Sequence, residues 1–321
     1  MPKVFVTRSD FPSNAIKLLQ TECEVVSYDQ PRPCPRKIFL ERVKGVDAIF
    51  CISTDIVDSD ILNAAGTRLK VVSTMSVGFD HIDVSECKKR NVIVTNVPHL
   101  STDSVAEFAL GLLLGVGRRI VEASSAIAMG KWTEKWSPTW YSGKGLKNAT
   151  VGIVGMGRIG QGILKRVIPF NVKKVLYYDV IHPVEQAENL GAVYSSFEDL
   201  LKESDFVIAS CILCDGTREI FNANAFDLMK STAVFINVSR GGVVQQDDLY
   251  NALKNGKIRA AGLDVMVPEP LPKDHKLVSL PNIVLSPHIG SSERDLIIEQ
   301  AEFNARNILE VLEGREPLAP V

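Results

Sequence analysis

The sequence has few of the features that would place a protein on nucleic acid, in a membrane or outside the cell. Its 321 residues carry 36 Lys and Arg against 38 Asp and Glu, a net charge of −2, with the basic residues dispersed among the acids. Such a distribution leaves no electrostatic footprint for nucleic acid or an anionic membrane, so substrate capture has to be local. Long apolar runs are missing too: the best, residues 108–116, is far shorter than the roughly 20 residues a membrane span needs. Cysteines are few, six at positions 23, 34, 51, 87, 211 and 214, and in a large chain with no secretory signal a disulfide framework is not expected. Cys211 and Cys214 do form one C-x-x-C, but it ends an apolar run and has no His or second pair nearby to complete a zinc set. We therefore expect no metal site. Met1 leads almost at once into an apolar run at Lys3, without a signal or transit segment, so a cytoplasmic protein is expected. There is no internal repeat and no low-complexity tract.

What is present is an ordinary globular composition, 45% hydrophobic and 23% charged, long enough for about two domains. At mid-chain, Val151-Gly152-Ile153-Val154-Gly155-Met156-Gly157-Arg158-Ile159-Gly160 runs an apolar strand directly into G-x-G-x-x-G, and residues 161–168 read as a helix ended by Pro169. Gly155 permits the tight turn, Gly157 lets a pyrophosphate approach the backbone, and Gly160 lets helix pack on strand. The helix N-terminus then presents free N–H groups and its positive dipole end to phosphate. Glycine spacings of this kind also arise in ordinary turns, but here a second apolar strand, 174–178, ends in Asp179, 19 residues after Gly160. A carboxylate at about that distance is placed to accept from a ribose 2′-hydroxyl.

The first hundred residues alternate short apolar runs with amphipathic segments, the mark of a small α/β unit with a parallel sheet. After Pro98, Ser101-Thr102-Asp103 can cap a long helix through Val105, Phe108, Leu112 and Arg119. Strands are expected at 206–211, 233–238, 260–265 and 282–285, with helices at 224–229 and 246–255, completing a doubly wound sheet. A final helix, 292–313, places Ile297, Ile298, Ala301, Ala305, Ile308 and Leu309 on one side. The expected fold is α/β with two domains: a Rossmann doubly wound parallel sheet, residues 100–288, inserted into a flavodoxin-like α/β substrate domain, residues 1–99 and 289–321. Residues 131–148 hold all three tryptophans, Trp132, Trp136 and Trp140, and show no period. A loop of that length is expected to wrap another surface, either its own domain or a partner subunit.

Three strand ends carry candidate chemistry. Arg240, in Asn237-Val238-Ser239-Arg240-Gly241-Gly242, would emerge at the carboxyl edge of the sheet, where its planar fork suits a substrate carboxylate; a structural ion pair is the alternative. Glu269 lies between Pro268 and Pro270 after the strand ending Gly262-Leu263-Asp264-Val265. Of five histidines only His288, in Pro287-His288-Ile289-Gly290, ends a strand; His81 and His99 read as helix-start and loop residues, and His182 and His275 as solvated. A carboxylate beside an imidazole orients its tautomer and keeps it able to donate a proton near neutral pH.

Taken together with Ser73-Thr74-Met75-Ser76-Val77-Gly78-Phe79-Asp80, Val105-Ala106-Glu107 and Pro268-Glu269-Pro270-Leu271-Pro272, these stretches resemble the D-2-hydroxyacid dehydrogenase family across essentially the whole chain. Within it the chain looks most like the glyoxylate/hydroxypyruvate reductases. The resemblance implies a catalytic trio of Arg240, Glu269 and His288, with the substrate carboxylate held by Arg240 and the backbone of Val77 and Gly78. It further implies substrate contacts at Ser291 and Trp140, the latter entering a partner subunit's pocket in a homodimer. Cofactor contacts are implied at Thr102, Gly155, Gly157, Arg158, Ile159, Gly160, Asp179, Ile212, Thr217, Val238, Asp264 and Gly290. The implied reaction is hydride transfer from a nicotinamide cofactor to glyoxylate or hydroxypyruvate, with His288 as proton donor and glycolate or D-glycerate as product. Formate dehydrogenases, a sister group, use Gln where this chain has Glu269.

Two departures stand out. Where many relatives have a Pro-rich turn, this chain has Ile212-Leu213-Cys214-Asp215-Gly216-Thr217; and where NADPH-using animal reductases place a small residue and then Arg, it has Asp179-Val180. A carboxylate facing a 2′-phosphate at close range is repelled by up to about 4 kcal/mol per unit charge at an effective dielectric of about 20, on the order of a thousandfold. NAD(H) is therefore expected over NADP(H). Other D-2-hydroxyacid dehydrogenases, acting on 3-phosphoglycerate or on branched or aromatic 2-oxo acids, and an NAD-sensing corepressor-like interaction protein are the alternative readings.

Overall fold

The computed structural model describes every residue except Trp136, so the expectation for that tryptophan lies outside the described residues. Contacts divide the chain into two units, Met1–Ser101 with Ser292–Val321, and Thr102–Ser291. In the first, β1 (Lys3–Val6), α1 (Ser13–Gln20), β2 (Glu24–Ser27), α2 (Arg36–Arg42), β3 (Ala48–Cys51), α3 (Ser59–Ala65), β4 (Val71–Thr74), α4 (Val84–Lys89) and β5 (Ile93–Thr95) alternate. Asp58 and Asp83 start α3 and α4 by accepting from the first-turn N–H groups, which otherwise lack partners. The five strands pair in parallel in the order β2-β1-β3-β4-β5, the flavodoxin-like order.

The second unit comprises α5 (Thr102–Gly117), α6 (Ile120–Ala128), β6 (Thr150–Val154), α7 (Arg158–Val167), β7 (Lys174–Tyr178), α8 (Glu185–Glu188) and β8 (Ala192–Tyr194). It continues through α9 (Phe197–Glu203), β9 (Phe206–Ala209), α10 (Ala223–Leu228), β10 (Val234–Asn237), α11 (Gln246–Lys254), β11 (Ala260–Leu263) and β12 (Ile283–Leu285). Its seven strands are parallel in the order β12-β11-β10-β9-β6-β7-β8. The order reverses between β6 and β9, so the two chains leaving those strands part to opposite faces and open a crevice at the carboxyl edge. One apolar layer, including Leu113, Ile153, Ile163 and Ile236, covers one face; another, including Leu200, Phe221, Phe235 and Leu249, covers the other. Burial on both faces explains why these strands read as unbroken apolar runs.

The chain finishes in the first unit with α12 (Arg294–Leu312). Ala301, Ala305, Ile308 and Leu309 are buried against Val4, Phe50 and Val71 as the periodicity predicts. Ile297 and Ile298 are only partly buried, and the inward stripe takes up Gln300, Asn304 and Asn307 instead. The two asparagines have tertiary partners: the Ser73 hydroxyl donates to Asn304 Oδ1 at 2.6 Å, and the Ala319 N–H to Asn307 Oδ1 at 3.1 Å.

Two expectations need correction. The helix beginning at Thr102 stops at Gly117 rather than passing Arg119, which turns left-handed at φ 58° and starts α6. At Gly117 a Cβ would lie 3.0 Å from Lys144 O and from the Phe206 ring, so the chain is pressed against its neighbours there. The elements α8, β8 and α9 have no counterpart among those the sequence leads one to expect. The first two are only four and three residues long, too short for a period to show. Residues 131–148 form no helix or strand among those described. No helix among the described residues is long and apolar enough to cross a membrane.

Candidate active site

At the end of β6 the chain turns through Gly155, whose φ of +95° disfavours any side chain and whose Cβ would fall 2.5 Å from Cys211 N. A Cβ on Gly160 would lie 2.1 Å from the Gly155 carbonyl oxygen, so this glycine lets α7 press onto the turn. Gly157 is different. It has nothing within 4 Å of a Cβ position, and it precedes α7 as an N-cap without a side-chain cap bond. Open space beside uncapped helical N–H groups is what a pyrophosphate needs, so the residues fit a dinucleotide. Arg158 is exposed and Ile159 half-buried in the first turn of α7.

Asp179 follows β7 directly. Its Oδ2 accepts from Met156 N–H at 2.6 Å and its Oδ1 from Ile181 N–H at 3.0 Å. The carboxylate thus fastens the middle of the glycine turn to the next strand end. Farther along the edge, the 212–217 turn is closed by Thr217, whose hydroxyl donates to Ile212 O at 2.5 Å and accepts from Cys214 N–H at 2.9 Å. Ile212 itself is largely exposed. Val238, at the end of β10, is buried, and Thr102 opens α5.

The Glu269 and His288 side chains meet: Oε2 and Nδ1 are 2.8 Å apart. A carboxylate only accepts, so Nδ1 carries the proton and Nε2 is the nitrogen left to face a substrate. The other oxygen, Oε1, accepts from Met266 N–H at 3.0 Å. Burial pushes the Glu269 pKa up, but the hydrogen bond with His288, the Met266 N–H and the charges of His288 and Arg240 hold it below its ordinary value. It is thus kept ionised beside the imidazole.

His288 occupies the left-handed region at φ 56°, a conformation costing a non-glycine residue on the order of 1 kcal/mol or more. Asp264 holds it there. This buried carboxylate accepts from Ser286 Oγ at 2.7 Å, Ile289 N–H at 2.9 Å and Gly290 N–H at 2.8 Å, while His288 N–H donates to the Asp264 carbonyl at 2.8 Å. Ser291 follows, half-buried.

Arg240 leaves β10 in extended conformation, φ −139° and ψ 145°. Asn237 braces its turn: Nδ2 donates to Arg240 O at 3.0 Å, and Oδ1 accepts from Ser239 N–H and Oγ. Gly241 then presses on the Glu269 turn, since a Cβ there would lie 2.2 Å from Met266 O. Arg240, Glu269 and His288 therefore emerge from β10, β11 and β12, three adjacent strands, at one edge of one sheet.

Val77 and Gly78 belong to the first unit, where Asn96 Nδ2 donates to Val77 O at 2.8 Å and the Ser76 hydroxyl to Gly78 O at 2.6 Å. His81 Nε2 lies 3.0 Å from Thr74 Oγ1 at the end of β4. Trp140 is 42% exposed, stacked at 6.5 Å on Trp132 and edge-on at 4.9 Å to Tyr141. The sequence does not single out Asn237 as a brace, Met266 as a donor to Glu269, or Gln246, whose side chain bonds to Val267. Only the residue types beside the motifs hint at them.

Residues 110–290 match the model of the D-isomer specific 2-hydroxyacid dehydrogenase NAD-binding domain. Over 317 residues, 98% of this chain and 96% of the relative, the sequence is 45% identical to a glyoxylate reductase/hydroxypyruvate reductase of Homo sapiens. A crystal structure of a Thermus thermophilus protein superposes with a TM-score of 0.93 at 37% identity, covering 99% of both chains. An NADPH-dependent glyoxylate/hydroxypyruvate reductase of Sinorhizobium meliloti gives 0.85 at 28% identity, covering 100% of this chain and 97% of that one. The fold, the ordered strand ends and these similarities converge, and the chain belongs to the D-isomer specific 2-hydroxyacid dehydrogenase family.

Proposed function

We propose that the protein reduces glyoxylate or hydroxypyruvate to glycolate or D-glycerate. The observation that carries this reading is the 2.8 Å pair of Glu269 and His288, with the His288 turn locked by Asp264. When bound, a nicotinamide cofactor supplies the hydride. His288 gives the proton from Nε2 to the carbonyl oxygen, and Glu269 keeps Nδ1–H oriented and offsets the charge of the imidazolium. Arg240 holds the substrate carboxylate through its guanidinium fork. Similarity to the human reductase favours the short 2-oxo acids over 3-phosphoglycerate or branched substrates.

The test is oxidation of NADH with glyoxylate, hydroxypyruvate, pyruvate and phenylpyruvate as acceptors. His288→Ala is expected to lower kcat by about a thousandfold or more while NADH still binds. Turnover surviving that change would overturn the assignment.

NAD(H) preference belongs to the same reading. Both Asp179 oxygens are tied to backbone N–H groups, so the carboxylate has little freedom to swing away from a 2′-phosphate. The Sinorhizobium relative is NADPH-dependent, so initial rates with both cofactors decide the matter, and a clear NADPH preference would sink it. A homodimer is supported by the second unit's surface: Ile120, Val121, Ile127, Met129, Trp132 and Trp140 are all more than 40% exposed. Apolar exposure on that scale favours a partner surface, and sedimentation as a monomer at micromolar concentration would rule the dimer out. A cytoplasmic location is supported by six free thiols.

A further inference from the structure

Gln246 opens α11 and has no part in the proposed chemistry, yet its side chain is fastened to the backbone that carries Glu269. Its Oε1 accepts from Val267 N–H at 2.8 Å, and its Nε2 donates to the Val267 carbonyl. The two bonds close an amide-to-amide pair across 21 positions of sequence, much as a neighbouring strand would pin one residue. One residue earlier, Met266 N–H donates to Glu269 Oε1 at 3.0 Å. From the other side Gly241 presses on Met266, where a Cβ would lie 2.2 Å from the carbonyl oxygen. The turn that presents Glu269 is therefore held between the segment after Arg240 and the first residue of α11.

We infer that Gln246 is a positioning residue: it fixes the Met266–Val267 backbone so that Met266 N–H engages Oε1 of Glu269 while Oε2 engages Nδ1 of His288. A side-chain amide is what this task requires. Val267 offers one donor and one acceptor, and only Gln or Asn can answer both from one planar group; Asn is one methylene shorter. Without the clamp the Val267 backbone is free to shift, the Met266 bond lengthens, and the carboxylate loses a donor that favours its ionised form. The inference rests on the proposed reaction only for its catalytic consequence; the effect on Glu269 is independent of any substrate.

The 321-residue chain supplies the test through Gln246→Leu, which is of similar size and cannot bond to Val267. Gln245→Ala serves as the control for the helix. Gln245 Oε1 caps α11 by accepting from Asp247 N–H at 2.7 Å and Asp248 N–H at 3.0 Å, so its loss weakens the same helix without touching Val267. The Glu269 carboxyl is followed by carbon NMR against pH, its signal assigned by its absence in Glu269→Gln, alongside steady-state kinetics and NADH titration. Gln246→Leu is expected to raise the Glu269 titration midpoint by about half a unit or more. It should also lower kcat by about tenfold, as slight misplacement of a catalytic pair does, with NADH affinity within about twofold of wild type. Gln245→Ala is expected to lower the thermal midpoint and leave the Glu269 titration where it was.

An unshifted Glu269 in Gln246→Leu overturns the inference, as does an equal shift in both variants. If Gln246→Leu does not fold, Gln246→Met, unbranched, uncharged and of similar length, makes neither bond to Val267, and a shift in the same direction is required of it. Should the wild type reduce none of the four 2-oxo acids while Gln246→Leu still moves Glu269, the proposed reaction fails and the positioning role stands.

Discussion

The turn after β6 and the turn after β12 both place a backbone in left-handed space at the edge of the same sheet, and they do it by opposite means. At Gly155 the φ of +95° is met by having no side chain at all. At His288 a φ of 56° is imposed on a residue whose side chain the proposed chemistry requires. Glycine carries its solution with it. His288 depends on Asp264, whose carboxylate reaches Ile289 N–H and Gly290 N–H across 25 and 26 positions of sequence. A turn that binds a cofactor through backbone groups can use glycine, whereas one that presents an imidazole needs an outside brace.

The largest effect expected from breaking this contrast is at the brace. Asp264→Ala removes the acceptor of three hydrogen bonds and leaves two backbone N–H groups and a hydroxyl to find new partners. At roughly 1–3 kcal/mol for each group left unsatisfied, the loss should exceed about 3 kcal/mol in denaturant unfolding, and kcat should fall with it. Stability equal to wild type would show that the His288 turn holds itself.

Next in size is a pair of substitutions within the glycine turn. Gly160→Ala puts a Cβ 2.1 Å from the Gly155 oxygen, whereas Gly157→Ala meets nothing within 4 Å. The first should destabilise the protein by about 2 kcal/mol or more, as overpacking does. The second should unfold like wild type yet weaken NADH binding by about tenfold or more in a fluorescence titration, because its methyl group occupies the approach to the helix N-terminus. Two variants of equal stability would break the assignment of distinct roles to these glycines.

A smaller effect separates backbone from side chain at His288. Relative to His288→Ala, His288→Gly should be more stable by about 1 kcal/mol, since glycine adopts the left-handed conformation without strain, and both should be inactive. The finest distinction is one of pH. The Glu269 pKa is held down in the folded protein, so its contribution to stability is complete above the ordinary carboxylate range, about pH 4–5, and is lost as the pH falls through the folded value. The thermal midpoints of wild type and Glu269→Gln should converge on acidification; a gap that widens would contradict the assigned direction.

The same contrast explains which features are legible in the sequence. The parallel order of both sheets follows from alternating apolar runs and amphipathic segments, because a doubly covered strand has to be apolar throughout. Gly155 and Gly160 are legible because local demands, a left-handed φ at one and contact with the Gly155 oxygen at the other, select glycine directly, and Gly157 because a phosphate approaching the backbone needs the open space beside it. α8 and β8 are not, since three or four residues cannot express a period. Nor is the end of α5 at Gly117, which is set by contact with Phe206 and Lys144. The Asn307 and Asn304 side chains on α12 look out of place in an apolar stripe until Ala319 and Ser73 supply their bonds.

The α/β class, the nucleotide turn and the three strand ends that carry Arg240, Glu269 and His288 are written into the order of residues. They depend on neighbours in the chain, on whether a residue has a Cβ and on hydrophobic period. Packing in three dimensions is what brings Glu269 and His288 to 2.8 Å, sets Asp264 under the imidazole turn and clamps the carboxylate turn with Gln246. Those bonds join residues 19 to 26 positions apart. A hydrogen bond is set by distance and angle, and parallel strands bring their ends together only once the intervening helices have packed.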